Sequence, residues 1–324
     1  MVSTIAGSEE GFADGVGSDA KFDFPKGIAS DAAGNLYVAD YRNHRIRKIT
    51  PAGEVSTLAG GEYGFADGVG SDARFNRPAG IAIDAVGNLY VADILNHRIR
   101  KITPAGEVST LAGGEEGFAD GIGSDARFYE PVGIAIDVAG NLYVTDRQNH
   151  RICKITPPGE VSTLAGGERG FADGIGGDAE FYTPEGIAID AAGNLYVTDN
   201  DVTDFENHRI RKITPAGEVS TFAGGRIGIA DGIGGDAKFY GPTDITIDAA
   251  GNLYVADNGN DRIRKITLAG EVSTLAGGGK GFADGIGSDA KFYGPYGIAS
   301  DAAGNLYVVD GGNHRIRKIE IRRP

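Results

Sequence analysis

Gly80-Ile81-Ala82-Ile83-Asp84, Asn88-Leu89-Tyr90-Val91-Ala92-Asp93, Arg98-Ile99-Arg100-Lys101-Ile102-Thr103 and Val108-Ser109-Thr110-Leu111-Ala112 follow one another within 33 residues, 80–112. Each string is short and rich in β-branched side chains, and the first alternates Ile with small residues at period two, the signature of a strand. Ala85-Val86-Gly87 and Pro104-Ala105-Gly106 punctuate them, because Gly accepts positive φ and Pro presets φ near −65°. Asp93 to His97 supplies the middle hairpin. Connections this short force antiparallel neighbours, so the segment reads as a four-stranded meander. Ile81 and Ile83 lie on one face and Ala82 on the other, which suits a sheet packed between two others.

The meander recurs throughout the 324 residues. Val-Ser-Thr strings begin at Val2, Val55, Val108, Val161, Val219 and Val272, 53 residues apart except for the step of 58 from Val161 to Val219. Units of this size bury their faces by stacking on neighbours, and a radial stack of four-stranded sheets is a β-propeller, whose blades number about four to eight. Six copies predict an all-β, six-bladed propeller forming one domain over residues 1–324. The copies are offset from the blades: Val2 to Ala6 is a fourth strand with no first three before it, and residues 297–321 hold three strands with no fourth. The N-terminal strand is therefore expected to complete the last blade, removing an edge that would invite aggregation.

Composition excludes some partners. The formal charge is −14, which makes nucleic acid and anionic membrane surfaces poor partners for the whole molecule, and no apolar run is long enough for a membrane span. The single cysteine, Cys153, stands where the other five full copies have Arg47, Arg100, Arg211, Arg264 and Arg317; it reads as drift and allows no internal disulfide. Met1 abuts the first repeat strand, as expected of a domain cut from a longer protein, and no segment identifies a compartment. A monomer is expected.

The strings Pro78-Ala79-Gly80-Ile81-Ala82-Ile83-Asp84, Gly87-Asn88-Leu89-Tyr90-Val91-Ala92-Asp93 and Asn96-His97-Arg98-Ile99, repeated in all six copies, resemble the NHL repeat. The resemblance implies a six-bladed propeller. Members of that family serve as protein-interaction, ligand-binding or RNA-binding modules, and related propellers include an amidating lyase, strictosidine synthase-like proteins and calcium-dependent lactonases or esterases. Fold alone does not choose among these.

Repeated residues are read as structural. His44, His97, His150, His208 and His314 share one hairpin position, occupied by Asp261 in the fifth copy, and residues spread one per blade cannot converge on a metal. Asp40, Asp93, Asp146, Asp199, Asp257 and Asp310 are assigned hairpin ion pairs with Arg45, Arg98, Arg151, Arg209, Arg262 and Arg315. Phe22 and its equivalents are wedges between blades, and the Asp14 to Asp19 type segment is an inter-blade turn, since it lacks the closing Glu of a calcium loop.

Differences between copies carry the functional reading. The residue after the repeat Pro is Lys26, Ala79, Val132, Glu185, Thr243 or Tyr296; the residues before it include Arg77 and Glu130; the middle-hairpin tips differ as well. In a meander these lie at one end, around the mouth of the central channel, whereas the Ala32-Ala33 type hairpins at the other end are uniform. The fourth copy adds five residues on the varied face, including Asp204 and Phe205, and the fifth replaces Gly by Asp244 and Ala by Thr246. Neutral divergence between duplicated copies explains such differences without a function. The functional alternative makes Lys26, Arg77, Glu130, Glu185, Asp244, Tyr296, Asp204 and Phe205 the contact set for a protein or small ligand, with Lys26, Arg77, Glu130, Tyr296 and the loop 200–206 expected to be exposed. A metal-dependent hydrolase or lyase would instead use Glu185 and Asp244 as ligands, with calcium as the fitting ion; a scaffold without any small ligand is the third reading. No residue is assigned a catalytic role.

Overall fold

The computed structural model describes residues 1–201, 203 and 205–321. Six antiparallel sheets stand in a ring. In the second, the strands Pro78–Ile83, Leu89–Asp93, Arg98–Ile102 and Glu107–Gly113 run from the axis outward in chain order, and the other blades repeat this meander. Five blades add a two-residue outer strand drawn from the Asp-Gly-(Val/Ile)-Gly segment, such as Gly68–Val69 pairing with Glu107 and Val108. The inter-blade connection is thus a short strand followed by a 3-10 turn rather than a turn alone. Among the described residues no helix is long and apolar enough to cross a membrane.

The core is six wedges, each shared by two neighbouring blades. One holds Ala82, Ala92, Ile99 and Ala112 from the second blade against Ile134, Leu142, Val144 and Ile155 from the third, with Phe128 fully buried between them. The aromatic residue of every copy, from Phe22 to Phe292, fills this place. Closure follows the expected route: Val2–Ala6 pairs antiparallel with Arg315–Ile319, Val2↔Ile319 to Ala6↔Ile316. Val2 enters one wedge and Ala6 the next, so this single strand seals two of the six cores.

Each blade also buries a charge clamp; the expected pair of Asp146 with Arg151 forms, and the other five expected pairs are corrected. Asp40 pairs with Arg47 at 2.7 Å, not with Arg45, and Asp93, Asp199, Asp257 and Asp310 likewise pair with Arg100, Arg211, Arg264 and Arg317. Arg47 has no exposed surface; its second nitrogen reaches Asp14 at 2.6 Å and the Ala13 carbonyl at 2.7 Å, and the guanidinium lies 5.1 Å from the Phe22 ring centre. Asp14 in turn accepts from Thr57 Oγ1 on the fourth strand. One arginine therefore ties the second strand, the third, the fourth and the preceding connection. The hairpin Arg45 and Arg98 lie outside, their guanidinium carbons 3.9 and 3.8 Å from the ring centres of Phe12 and Phe65.

Cys153 is more than drift, because the third blade has rebuilt its clamp. Arg151 turns inward, with its Nε 2.7 Å from Asp146 and its Nη1 2.8 Å from Asp120, and is fully buried as no equivalent hairpin arginine is. Removing one partner of a buried pair costs about 3–5 kcal/mol, whereas losing a surface cation–π contact costs about 0.5–1 kcal/mol. Arg151→Ala should therefore destabilise the protein several times more than Arg98→Ala in urea unfolding, and Cys153→Arg should recover most of the loss; equal losses at the two positions would refute the exchange.

Closure gives a second expectation. Deleting residues 1–7 uncovers the edge of Arg315–Ile319 and opens two cores. The truncated chain should melt at lower temperature and form concentration-dependent oligomers in sedimentation; a monomer with unchanged melting would disprove the strand exchange.

Candidate functional site

At the axis the innermost strands nearly touch. A Cβ on Gly27, Gly80, Gly133 or Gly297 would lie 2.0–2.1 Å from the backbone oxygen of the residue after Pro in the next blade, so only glycine fits there. Asp244 breaks this ring. Its strand holds register with the second strand from Asp244↔Ala256, whereas the other full-length inner strands resume pairing only one residue later, as at Ile81↔Val91. The Asp244 side chain is fixed by two backbone donors, Ile245 N and Ile298 N, both at 2.9 Å. Burial pushes its carboxyl up to about 7; the two N–H bonds oppose that shift and Glu185 adds to it.

Above the glycine ring the varied residues close the channel. Lys26 Nζ donates to Tyr296 Oη at 3.2 Å, and Tyr296 Oη donates to Glu185 Oε2 at 3.1 Å. Glu185 Oε1 faces Arg147 at 3.5 Å, and Arg147 is bonded in turn to Glu130, which also accepts from Gln148 at 3.1 Å. Lys26 is sandwiched between the rings of Tyr41 and Tyr296 at 4.2 and 4.3 Å, and the Arg77 guanidinium carbon lies 5.6 Å from the Tyr41 ring centre. Residues from blades one, three, four and six thus form one cross-channel network, with Arg77 of blade two at its edge. Beneath it remains a void of about 30 Å³ lined by Val132, Glu185, Thr243, Asp244 and Tyr296 and by the glycine ring, enough for one water.

Expected exposure is corrected by this network. Lys26 is 8% exposed and Glu130, Glu185 and Tyr296 are largely covered, whereas Arg77 is open to solvent. The physical reason is reach: side chains long enough to cross a narrow mouth bury one another. Burial lowers the Lys26 pKa to about 8, with Arg147 and Arg77 pressing the same way and Glu185 and Glu130 opposing. Burial also works against the Arg147 charge, yet Glu185, Tyr296 and Glu130 hold its pKa above the ordinary value. Glu130 is held below its usual range because the bonds from Arg147 and Gln148 outweigh burial. Tyr296 is raised, first by burial and then by Glu185.

Three supports of the network escaped the sequence reading. Thr145 Oγ1 accepts from Gly133 N at 2.7 Å and donates to the Glu185 carbonyl at 2.6 Å; Thr198 does the same between Gly186 N and the Thr243 carbonyl. Thr243 Oγ1 donates to the Tyr296 carbonyl at 2.9 Å. These hydroxyls stitch the inner strands of blades three to six and place Glu185 and Tyr296. Their signal was the change from Leu-Tyr-Val-Ala-Asp to Leu-Tyr-Val-Thr-Asp in two copies. Arg147, noticed only as a variable tip, proves central.

Other singled-out residues lie apart. Phe205 is exposed, and its carbonyl accepts from Ile227 N at 2.8 Å, so the inserted loop leans on the next connection rather than over the mouth; Asp204 lies outside the described residues. The Nδ1 atoms of His44, His97, His208 and His314 accept the backbone N–H of the left-handed residue of the next blade, as His44 does from Arg77 at 3.2 Å, and Asp261 accepts from Gly294 at 2.8 Å in the same way, whereas His150 Nδ1 meets the Tyr182 carbonyl. The histidines are thus structural, and Asp261 preserves their acceptor. Glu185 and Asp244 direct their oxygens to different partners, and among the described residues no group of three His, Cys, Asp or Glu side chains is placed to hold a metal.

The NHL repeat pattern matches residues 22–49, 75–102, 128–155 and 292–319, and the teneurin NHL domain pattern matches residues 177–267, so the two together reach all six copies. The chain belongs to the NHL-repeat family. The NHL propeller is 30% identical over 327 residues to the Arabidopsis thaliana protein Suppressor of quenching 1, chloroplastic, covering 93% of this chain and 30% of that protein. It is 30% identical over 346 residues to NHL repeat-containing protein 2 of Bos taurus, covering 92% and 46%. The chain therefore spans less than half the length of these relatives. Among solved structures, an auxiliary nutrient binding protein from Bacteroides ovatus superposes with a TM-score of 0.73 at 20% identity over 98% of this chain and 76% of that one, a likeness of fold.

Asp244 supplies a pH-dependent expectation. Its folded pKa of about 7 exceeds the unfolded value of about 4, so it penalises the fold little below pH 4, increasingly between pH 4 and 7, and by a constant amount above 7. Asp244→Gly, which restores the residue of the other copies, should raise the melting temperature by several degrees at pH 8 and by clearly less at pH 5. A gain independent of pH would show that the carboxylate charge is not the cause.

Proposed function

We propose that this NHL propeller is a binding module whose varied face recognises a protein segment. One observation carries the reading: a non-repeating charged network occupies one end of a nearly six-fold scaffold. Sister copies place Ala79, Val132 and Thr243 where Lys26, Glu185 and Tyr296 stand, so the scaffold folds with small side chains there. Burying Lys26, Glu185 and Arg147 is no gain in stability over such residues, since desolvation of ion pairs commonly matches or exceeds their attraction. The arrangement is retained for what it presents.

Around this polar centre stand exposed aromatic side chains of the same face, Tyr63, Tyr129, Phe205, Tyr240 and Tyr293, together with Arg42 and Arg77. Aromatic residues and arginine are the side chains that dominate protein-binding energetics, and they surround a centre able to pair with a polar group of the partner. Phe24, Arg77 and Glu130 hold positive φ, between 48° and 58°, where two sister copies use glycine, a backbone strain paid at this face alone among the blade ends.

A displayed peptide library selected on the intact propeller should yield binders that lose affinity at least tenfold with Arg77→Ala, Tyr240→Ala or Phe205→Ala, and not with Ala32→Asp, Ala191→Asp or Ala249→Asp. Binders sensitive only to the uniform end would overturn the assignment.

A further inference from the structure

Below the glycine ring the channel widens again and opens at the uniform end. This lower space is about 220 Å³. Its walls are two storeys of the inner strands: Ile28, Ile81, Ile134, Ile187, Ile245 and Ile298 form the upper one, and Ile83, Ile136, Ile189 and Ile247 the lower one. The lower storey is not uniform. Two copies replace isoleucine by Ser30 and Ser300, and Thr246 stands beside them in the fifth blade. Thr246 Oγ1 lies 3.3 Å from Ser300 Oγ, Ser300 Oγ donates to the Ile247 carbonyl at 3.0 Å, and Ser30 Oγ donates to the Ser300 carbonyl at 3.0 Å. Blades five, six and one therefore carry a hydroxyl edge whose oxygen lone pairs face an otherwise aliphatic funnel.

Asp244 lines both this funnel and the small void above it, so it stands at the funnel floor. It differs from the buried aspartates of the clamps. Each of those has an arginine; Asp244 is held by two backbone N–H groups and has no ion pair among the described residues. The nearest influence of another charge on it is repulsive, from Glu185. A carboxylate without an ion pair, largely covered at the floor of an aliphatic funnel, calls for a proton or a cation.

The funnel entrance adds to this demand. The residue after each inner strand is an aspartate: Asp31, Asp84, Asp137, Asp190, Asp248 and Asp301. Burial favours their neutral form, but bonds from the neighbouring asparagine, tyrosine and backbone outweigh it and hold all six below the usual carboxylate range. Six fixed negative charges at a low-dielectric mouth concentrate cations and repel anions.

We propose that the funnel is a binding site for a small aliphatic primary ammonium ion, its alkyl chain against the isoleucine storeys and its ammonium on Asp244. The Thr246 and Ser300 hydroxyls complete the polar side, since an ammonium has three donors to satisfy. The size agrees: the space is below the 300–1,000 Å³ or so of drug-sized pockets, which selects a fragment-sized ligand. A carboxylate of the same length meets seven negative groups, and an alcohol leaves Asp244 unpaired. This site is at the opposite end of the channel from the recognition face and stands or falls without it.

The test is calorimetric titration of the full chain at pH 8 with n-pentylammonium chloride, 1-pentanol and sodium pentanoate. Pentylammonium should bind one per chain with a dissociation constant of about 1 mM or below, a range open to ligands of this size, and the other two at least tenfold more weakly. Asp244→Gly, whose residue already serves the other five copies, should weaken pentylammonium at least tenfold and abolish its preference over 1-pentanol. Ser300→Ile, which restores the majority residue of the lower storey, should weaken it several-fold. Melting curves confirm that each variant is folded. Equal binding of pentanoate and pentylammonium, no saturable binding of pentylammonium, or full affinity in folded Asp244→Gly would each overturn the proposal.

Discussion

The buried aspartate–arginine–aspartate clamp is the constraint on which the rest of the blade depends. Its arginine has no exposed surface, so both its charge and that of the inner aspartate must be answered inside the protein. In doing so it fixes the end of the second strand against the connection from the previous blade, and the middle hairpin stands on that end. Tyr41 and Arg147, which reach across the channel mouth, project from hairpins anchored in this way. The third blade shows how little freedom the arrangement leaves: when Cys153 removed the usual guanidinium, the replacement came from two positions earlier on the same strand. Period two puts residues 151 and 153 on one face, so either can meet Asp146.

That same equivalence marks the limit of what was legible. Strand order, blade number and closure were written in local signals, alternation and turn residues repeated six times, and they hold in the structure. Which of two same-face arginines pairs with an aspartate is a question of depth, and alternation is silent about depth. The mouth residues were legible as a varying position after proline. Their mutual burial was not, because it depends on side chains from different blades meeting across the axis, a distance no repeat encodes. Thr145 and Thr198 stand where other copies have alanine, and Ser30 and Ser300 where others have isoleucine; nothing local to a strand tells that these hydroxyls bridge neighbouring strands.

The two ends of the channel share one scaffold and differ in chemistry. Toward the varied face the space is closed by opposite charges that satisfy one another; toward the uniform face it is open, aliphatic and ringed by carboxylates. Asp244 sits between them and belongs to the one inner strand whose register admits a side chain at the axis. A single replacement of glycine thus changes backbone register, local charge and the floor of a cavity together.

The offset between repeat and blade has a further outcome. Because Val2–Ala6 pairs with Arg315–Ile319, each Val-Ser-Thr string lies within a blade rather than at a boundary between blades. Unequal recombination between any two Val-Ser-Thr strings inserts or deletes one whole blade while leaving the sealing strand intact, so the ring can grow or shrink by genetic accident without acquiring a new kind of seam.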